Sequence, residues 1–427
     1  MKDSLSKRLH TFQSGNVGRL AVLMATAFID MVGNLIIIPL LPFYATRLGA
    51  NGFMLGALVA AFSAAQLLSA PLWGRVSDHY GRRPVLLIGL SASAVAYVVF
   101  AFAESYWLLL VSRLIQGAGG GTTGVIQAYV ADALQPKDRA RGLGWLSAAT
   151  NLGVVLGPLI GSASSSLGQQ SPGLIAAGLC AVNVAFAARY LTESHGVAAR
   201  AKAKRAVTPR QAMTRVFLHP GEAAPRLIWM YAIGIGAFYG VTFVLTLFLM
   251  ARFAVTERTI GLFYAYMGIL NVVFRIGLLG YVVDRLGEVR TSRVGAAVLS
   301  VGLIALPATN AIWMLALVVA LIPLGTTLLF PSVTALLSQV VGEHERGLYM
   351  GVQQTYGGFS RVAFPFLAGF TWDHLGMGVP FWLSGALVAL TLPLGMGMEH
   401  RVRAHHAAET ERAAKEEAAK ESAAVAE

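Results

Sequence analysis

Long apolar segments separated by short polar stretches run along most of this chain of 427 residues. A helix needs about 20 mostly apolar residues to cross a bilayer, and twelve segments reach that length. We expect a membrane protein made of α-helices, because lipid admits only helices and closed barrels, and barrel strands are shorter. The predicted spans are roughly 19–44, 52–73, 84–104, 107–131, 142–168, 172–191, 226–251, 259–283, 293–309, 311–338, 347–371 and 378–398.

One basic stretch interrupts the apolar pattern at 192–225 and separates six predicted helices from the next six. We expect it to be a cytoplasmic linker, in which a helix can lie on the membrane surface. The attraction of anionic lipids is enough to explain its charge. The predicted parts of the chain are 1–18 (N-terminal tail), 19–191 (first bundle), 192–225 (linker), 226–398 (second bundle) and 399–427 (charged tail).

The two predicted bundles repeat each other in sequence. The stretch Gly74–Gly81, which reads GRVSDHYG, returns in weakened form as Gly280–Gly287, which reads GYVVDRLG. Arg141, before predicted helix 5, and Arg346, before predicted helix 11, each begin an Arg-Gly-Leu sequence, and the offset stays near 205 residues. Bundles related in this way are expected to hold a substrate site between them near the middle of the membrane.

Composition supports a bilayer environment. Only 13% of the residues are charged, against about 25% in soluble domains, and the mean hydropathy is +0.63. The net charge of +12 does not indicate nucleic-acid binding, because no basic stripe with interleaved aromatic residues is present. The single cysteine, Cys180, excludes a disulfide within the chain.

The basic residues also predict the orientation. With the N-terminus in the cytoplasm, the outer hairpins hold only Arg47, Arg252 and Arg258, and most other Lys and Arg residues fall on the inner side. Because cytoplasmic loops carry the excess of Lys and Arg, both termini are predicted to be cytoplasmic. The first apolar run is expected to be retained as a membrane helix, since no small-residue cleavage site follows it.

The first charged loop resembles the signature loop of the major facilitator superfamily, G-x-x-x-D-R-x-G-R-R/K, with His79 in place of the usual Arg. The resemblance implies twelve helices in two pseudo-symmetric six-helix bundles. The internal repeat suggests gating contacts as well, with Asp78 at the positive start of predicted helix 11 near Arg346 and, by symmetry, Asp284 at predicted helix 5 near Arg141. Arg82 and Arg83 can instead be simple positive-inside anchors. Gly74 and Gly81 are expected to permit tight turns in this loop. The gating residues are Gly74, Asp78, Gly81, Arg82, Arg83, Arg141, Asp284, Arg285 and Arg346.

Asp30 and Arg113 are the candidate proton-coupling pair. Asp30 lies near the middle of predicted helix 1, where a carboxylate is costly unless it is paired, hydrated or protonated. The sequence that follows it, Gly33-(x)5-Pro39-(x)2-Pro42, resembles the helix 1 motif of drug:proton antiporters, above all of the tetracycline-efflux type. The sequence around Arg113, L-x-x-x-R-x-x-Q-G-x-G, resembles the helix 4 motif of proton-coupled members. The alternatives are an Asp that joins two helices and a static buried ion pair.

A third motif, Gly153-(x)3-Gly157-Pro158-(x)2-Gly161, resembles the helix 5 motif of the antiporter branches, G-x-x-x-G-P-x-x-G-G, with Ser162 in place of the last glycine. Glycines four apart share one helix face and permit close packing. Plain packing is therefore the alternative explanation of this motif.

Polar residues inside the apolar segments are candidate substrate contacts, although such side chains also join helices. Two arginines among them could contact an anionic substrate or reach the interface. The candidates are Asn34, Gln66, Gln127, Asn151, Tyr239, Asn271, Arg275, Gln353, Gln354, Tyr356 and Arg361.

Together these features predict a proton-coupled antiporter that exports small, largely apolar drugs from the cytoplasm. We expect a monomer in a bacterial inner membrane whose partners are protons, a small-molecule substrate and the bilayer, with no nucleic acid, cofactor or metal. The alternatives are a transporter of an organic anion or nutrient, and a sensor or scaffold that transports nothing. An intramembrane enzyme is disfavoured, because no HExxH motif, paired carboxylate site or nucleophile–base set lies within the predicted helices.

Overall fold

The computed structural model describes residues 16–121, 123–134, 138–193 and 208–399. In these ranges the chain forms α-helices and two short 3-10 helices, and no β-strand. The helices of the first half are α1 (Asn16–Ile37), α2 (Leu41–Arg47), α3 (Gly52–Tyr80), α4 (Arg82–Ala101), α5 (Tyr106–Gly120), α6 (Thr123–Ala133), α7 (Arg139–Ser165) and α8 (Ser171–Tyr190).

The second half begins with a short helix in the predicted linker. Its helices are α9 (Pro209–Leu218), α10 (Ala223–Phe253), α11 (Ile260–Gly277), α12 (Leu279–Ala305), α13 (Ile312–Val340), α14 (Glu343–Leu375) and α15 (Val379–Ala389). The 3-10 helices are Leu306–Ala308 and Leu392–Gly395. The predicted tails, apart from a few residues next to the helices, fall in 1–15 and 400–427, which lie outside the described residues.

The all-helical membrane fold is confirmed. Within the described ranges, nine helices are long and apolar enough to cross a membrane. Predicted helix 4 corresponds to the shorter α5 and α6, predicted helix 12 to α15 with the 3-10 helix after it, and predicted helix 11 to the more polar α14. Every predicted span therefore has a helical counterpart, although three do not reach the length and hydropathy of a span.

Two further predicted helices, besides predicted helix 4, are interrupted or end early. Predicted helix 1 divides between Ile37 and Leu41, because Pro39 cannot donate the next backbone hydrogen bond and Pro42 begins the first turn of α2. Predicted helix 8 ends at Gly277, and α12 begins at Leu279 rather than near residue 293.

The chain divides into two compact units, each assembled from separate segments of the sequence. The first comprises Met1–Lys202, Tyr239–Val272 and Arg361–Pro380, and the second comprises Ala203–Phe238, Val273–Ser360 and Phe381–Glu427. In the first unit α1 packs against α7 and α8, and α4 packs against α5 and α8. In the second unit α12 packs along α13. The division into bundles at 19–191 and 226–398 stays a prediction.

Candidate functional site

Asp30 lies on α1, and its side chain is half-buried. It forms neither an ion pair nor a hydrogen bond with any residue that the structure describes. Its charge lies within electrostatic reach of the Tyr97 hydroxyl on α4 and the Cys180 thiol on α8. Both side chains can approach α1 closely because Gly33 has no side chain. A Cβ on Gly33 would lie 3.2 Å from Cε2 of Tyr97 and 3.4 Å from Sγ of Cys180.

A buried hydrogen-bond network connects three helices beside Asp30. The Nε2 atom of Gln116 on α5 donates to Oδ1 of Asn34 at 3.0 Å and to the hydroxyl of Tyr97 at 2.8 Å. Gln116 and Tyr97 are both almost fully buried. The network therefore fixes α1, α4 and α5 relative to one another at the level of the intramembrane carboxyl.

Arg113 lies one turn from Gln116 and is 2% exposed. Its guanidinium lies over the ring of Phe100, 5.4 Å from the centroid, and its Nε is 3.5 Å from Oγ of Ser112. Its buried Nη2 has no hydrogen-bond partner in the described chain. Arg113 forms no ion pair with Asp30, yet both side chains lie within electrostatic reach of the Tyr97 hydroxyl. The static ion pair considered from the sequence is therefore not what this structure contains.

The predicted signature loop is mostly helix, because α3 continues to Tyr80 and α4 begins at Arg82. The turn consists of Gly81 alone, whose φ of 98° favours glycine. The expectation that Gly74 also permits a tight turn is wrong. Gly74 lies inside α3, and a Cβ built on it would meet nothing within 4 Å.

Arg82 is the centre of the contacts around this turn. Its guanidinium pairs with Asp78 at 2.8 Å and Asp132 at 3.3 Å, and donates to Oγ of Ser77 at 2.5 Å. Arg82 is almost fully buried, so these partners neutralise a charge that is largely removed from water. The expected contact between Asp78 and the start of predicted helix 11 stays a prediction.

Glu193, which the sequence analysis missed, caps α4. Its carboxylate accepts from the backbone N–H of Arg82 at 2.7 Å and of Arg83 at 3.2 Å, where the helix dipole favours an anion. The Arg83 guanidinium donates to the Ala188 carbonyl at 2.5 Å. Only the position of Glu193, just after the end of α8, could have drawn attention to it.

The second copy of the loop repeats the backbone turn. Gly287 has φ 74° and ψ 163°, close to the 98° and 160° of Gly81, and interrupts α12. Asp284 and Arg285 are exposed, and the guanidinium of Arg285 lies 4.6 Å from the ring centroid of Tyr281. The predicted contact of Asp284 stays a prediction. Arg141 is exposed, as is Arg346, whose Nε donates to the Ser338 carbonyl at 2.9 Å.

The helix 5 motif packs against α1. Cβ atoms on Gly153, Gly157 and Gly161 would lie 2.9 Å from Cβ of Met31, 2.6 Å from Cβ of Leu35 and 2.5 Å from the Ile36 carbonyl, respectively. These glycines let α7 approach the helix that carries Asp30, which is the packing that the glycine spacing indicated.

The next turn of the same motif contacts α11. The Pro158 carbonyl occupies the space that a side chain on Gly261 would need. Ser162, which stands in place of the last glycine of the family pattern, accepts from the backbone N–H of Gly261 at 2.7 Å. The departure from the pattern therefore adds a hydrogen bond at this helix crossing.

Several predicted substrate contacts form hydrogen bonds that join helices, and their role at the substrate stays a prediction. Gln66 donates to the Gly120 carbonyl at 3.1 Å, Gln354 donates to the Tyr231 hydroxyl at 3.2 Å, and Tyr356 donates to the Met213 carbonyl at 2.9 Å. The side chain of Gln353 is buried and accepts from Thr334 at 3.4 Å.

The remaining candidates differ in exposure. Gln127 is exposed, whereas Asn151 and Asn271 are half-buried. Arg275 is exposed in the last turn of α11, as expected for an arginine that reaches the interface. Arg361 is half-buried and lies 5.7 Å from the ring centroid of Tyr239.

The first unit contains two charged contacts that the sequence analysis did not identify. Arg47 pairs with Glu257 at 2.7 Å. Asp373 near the end of α14 accepts from the first backbone N–H groups of α3, those of Gly52 and Phe53, each at 2.8 Å. With cytoplasmic termini, both contacts would lie on the outer side.

Comparison with known proteins agrees with this architecture. The tetracycline resistance protein, class G, of Vibrio anguillarum is 29% identical over 358 residues, which are 78% of this chain and 85% of that protein. Multidrug resistance protein 2 of Bacillus subtilis is 26% identical over 88% of this chain and 94% of its own length. The crystal structure of the human organic anion transporter MFSD10 superposes with a TM-score of 0.65 at 23% identity, over 88% of this chain and 99% of that one.

The family model of the Major Facilitator Superfamily matches residues 23–362 and 249–425. These ranges include the Asp30 and Arg113 cluster, both glycine turns and the helix 5 motif. The chain is therefore an integral membrane protein that belongs to the Major Facilitator Superfamily.

Proposed function

We propose that this protein is a monomeric proton-coupled antiporter that exports small, largely apolar drugs from the cytoplasm by alternating access. The observation that carries the proposal is the relationship between Asp30 and Arg113. A half-buried carboxyl on α1 and a buried guanidinium on α5 share Tyr97 as a neighbour but form no ion pair with each other. Such a carboxyl can take up and release a proton, whereas a permanently paired one cannot readily do so.

The coupling follows from the electrostatics of this cluster. A carboxyl without a cationic partner in a low-dielectric site holds its proton, and a nearby guanidinium favours its release. When the proton leaves, the buried charge of Arg113 attracts Asp30, because the described residues provide no other anion for it. The side chain of Gln116 sets the starting geometry by holding α1 and α4 together.

The helix 5 motif supports antiport through its contact with α1. Gly153, Gly157 and Gly161 leave no space between α7 and the helix that carries Asp30. A change in the position of Asp30 is therefore transmitted to α7, and Pro158 contacts α11 on the same helix. We infer that this packing connects protonation to the opening and closing of the transport path.

The substrate class rests on the relatives. Proteins named as tetracycline resistance and multidrug resistance proteins match this chain over most of its length. The preferred substrate contacts are the half-buried candidates that form no hydrogen bond to another helix in the described chain: Asn151, Asn271 and Arg361. The excess of basic residues on one side favours cytoplasmic termini, and the relatives favour a bacterial inner membrane.

A transport assay tests this proposal. Inverted vesicles that contain the protein receive labelled tetracycline, a phenicol, a quinolone or a cationic dye while a pH gradient, acidic inside, is imposed. We expect one of these compounds to accumulate and a protonophore to abolish its accumulation. Absence of gradient-dependent accumulation for the whole panel would contradict drug:proton antiport.

A second candidate function, export or uptake of an organic anion, is favoured by Arg361. Its guanidinium lies over the ring of Tyr239 and has no carboxylate partner among the described residues. A cation and an aromatic ring held together in this way suit a substrate that has an acidic group next to a flat ring.

Substitution of Arg361 distinguishes drug export from organic-anion transport. Arg361→Ala would abolish transport of an organic anion, whereas a neutral drug would still be exported by that variant. Arg275→Ala, which changes an exposed arginine in α11, is the matched control. Equal transport of every anion by wild type and Arg361→Ala would exclude this second function.

A further inference from the structure

We infer that α9 is a docking surface for anionic phospholipid headgroups on the cytoplasmic leaflet, and that headgroup binding there regulates transport through α14. The regulatory part rests on the proposed transport function, whereas the lipid contact of α9 does not. The inference combines how α9 is attached, the depth at which it lies, and which side chains it exposes.

First, α9 is attached to two long helices through its own backbone. The indole of Trp229 on α10 donates to the Val216 carbonyl at 3.2 Å, and the hydroxyl of Tyr356 on α14 donates to the Met213 carbonyl at 2.9 Å. The two rings contact each other with centroids 5.4 Å apart, and Ala212 of α9 is fully buried. This helix is therefore docked rather than free.

Second, α9 lies at the depth of the headgroup layer. It ends at Leu218, and α10, a membrane-spanning candidate, begins at Ala223. Trp229 is six residues into α10, about 9 Å along the axis at 1.5 Å per residue. A helix bound to that indole crosses the first turns of the span, where tryptophan typically marks the membrane interface.

Third, the exposed side of α9 has the chemistry of a membrane-surface helix. Phe217 and Leu218 are each 68% exposed at its C-terminal end. Arg210 is exposed two turns earlier, on the same face as Phe217. Large apolar side chains, two turns along the helix from an arginine with no carboxylate partner among the described residues, fit acyl chains and anionic headgroups together.

Arg215 shows why Arg210 is the headgroup ligand. The Nε of Arg215 pairs with Glu222 at 2.6 Å, and the hydrogen bond to Glu222 raises the pKa of Arg215. Its charge is already neutralised locally. No such carboxylate partner is found for Arg210 in the described ranges, so its charge remains available to a lipid.

The hydrogen bond from Tyr356 connects lipid binding at α9 with the long helix α14. Tyr356 lies in α14, and its hydroxyl holds the backbone of α9. Headgroups that fix α9 at the interface therefore limit where this part of α14 can move. The same hydroxyl explains why a tyrosine predicted as a substrate contact is turned toward the linker helix.

The position of α9 is tested with a nitroxide at Leu218→Cys in a Cys180→Ser background, so that one cysteine remains. Collision with oxygen and with a water-soluble nickel complex reports whether the label is in lipid or water. We expect a lipid environment in vesicles that contain phosphatidylglycerol. A label that reports bulk water in those vesicles would overturn the docking surface, even if the protein transports nothing.

Regulation is tested by tetracycline transport in vesicles of phosphatidylcholine alone and with one quarter phosphatidylglycerol. We expect about fivefold faster turnover with the anionic lipid, the effect of one basic residue near a charged surface. Arg210→Gln should lose this response, whereas Arg252→Gln, at the other end of α10, should keep it. Equal rates in both lipids, or a response only after a cytosolic protein fraction is added, would overturn lipid regulation.

Discussion

Gly56 on α3 and Gly261 on α11 have the same relationship to a proline, although they lie in different halves of the sequence. A proline carbonyl occupies the position that a side chain would take at each glycine. This is the carbonyl of Pro365 at Gly56 and the carbonyl of Pro158 at Gly261. Both prolines lie inside long helices, α14 and α7. The internal repeat seen in the sequence is therefore also a repeat of helix crossings.

These crossings predict the effect of one added methyl group. Gly56→Ala would place a Cβ against the Pro365 carbonyl, and overpacking of this kind costs about 1–3 kcal/mol. We expect transport in vesicles to fall about tenfold while the protein remains inserted. Gly178→Ala is the control, since a Cβ there meets nothing within 4 Å; equal losses in both variants would argue against the crossing as the cause.

The ion pair between Arg47 and Glu257 is expected to stabilise the first unit. Their ion pair is 2.7 Å long but about half exposed on the arginine side, so its contribution should be about 1 kcal/mol or less. Thermal unfolding of Arg47→Ala, Glu257→Ala and the double variant measures the coupling energy. Exchange of the two charges, Arg47→Glu with Glu257→Arg, should restore most of the loss; strictly additive losses would mean that the pair contributes nothing.

Glu193 is expected to stabilise the turn at Gly81 through its charge. Glu193→Gln keeps the size of the side chain but removes the anion at the start of α4, which costs about 1 kcal/mol. The measurement is the thermal unfolding of purified protein at low and high salt. Glu104→Gln, an exposed glutamate after α4, is the control; a Glu193→Gln variant as stable as wild type would remove the capping role.

Tyr97 is expected to matter for coupling more than for substrate binding. Tyr97→Phe leaves the ring but deprives Gln116 of a buried acceptor, which costs about 1–3 kcal/mol. We expect slower gradient-driven transport with unchanged substrate affinity. Tyr190→Phe is the control, because Tyr190 contacts Phe186 through its ring, with centroids 5.1 Å apart. A large change in affinity would instead place Tyr97 at the substrate.

Much of the fold was predictable because a bilayer fixes helix length and composition. The turn at Gly81 and its repeat at Gly287 could also be predicted, since glycine recurs at equivalent positions of the two loops. The C-terminal end of α3 could not be predicted, because nothing in the sequence distinguishes Gly74 inside a helix from Gly81 at its end. That difference depends on Glu193, whose carboxylate occupies the space beside Gly81 from more than 100 residues away.

In the candidate site, too, some features could be predicted from the sequence and others could not. Asp30 and Arg113 could be identified because charges in apolar segments are rare. Their spatial relationship could not, because Tyr97 and Gln116 come from other parts of the sequence and their polarity is ordinary there. Similarly, no spacing rule connects Tyr356 with the backbone of Met213, so the hydrogen bond between Tyr356 and α9 could not be predicted.

The central claim is that Asp30 carries the proton, and one comparison tests it most directly. Substrate accumulation driven by a pH gradient and substrate exchange without a gradient are measured in the same vesicles for wild type and Asp30→Asn. We predict that Asp30→Asn loses accumulation but keeps exchange, because exchange needs the helices to move but needs no proton transfer. Accumulation by Asp30→Asn at the wild-type rate and to the wild-type level would contradict the account.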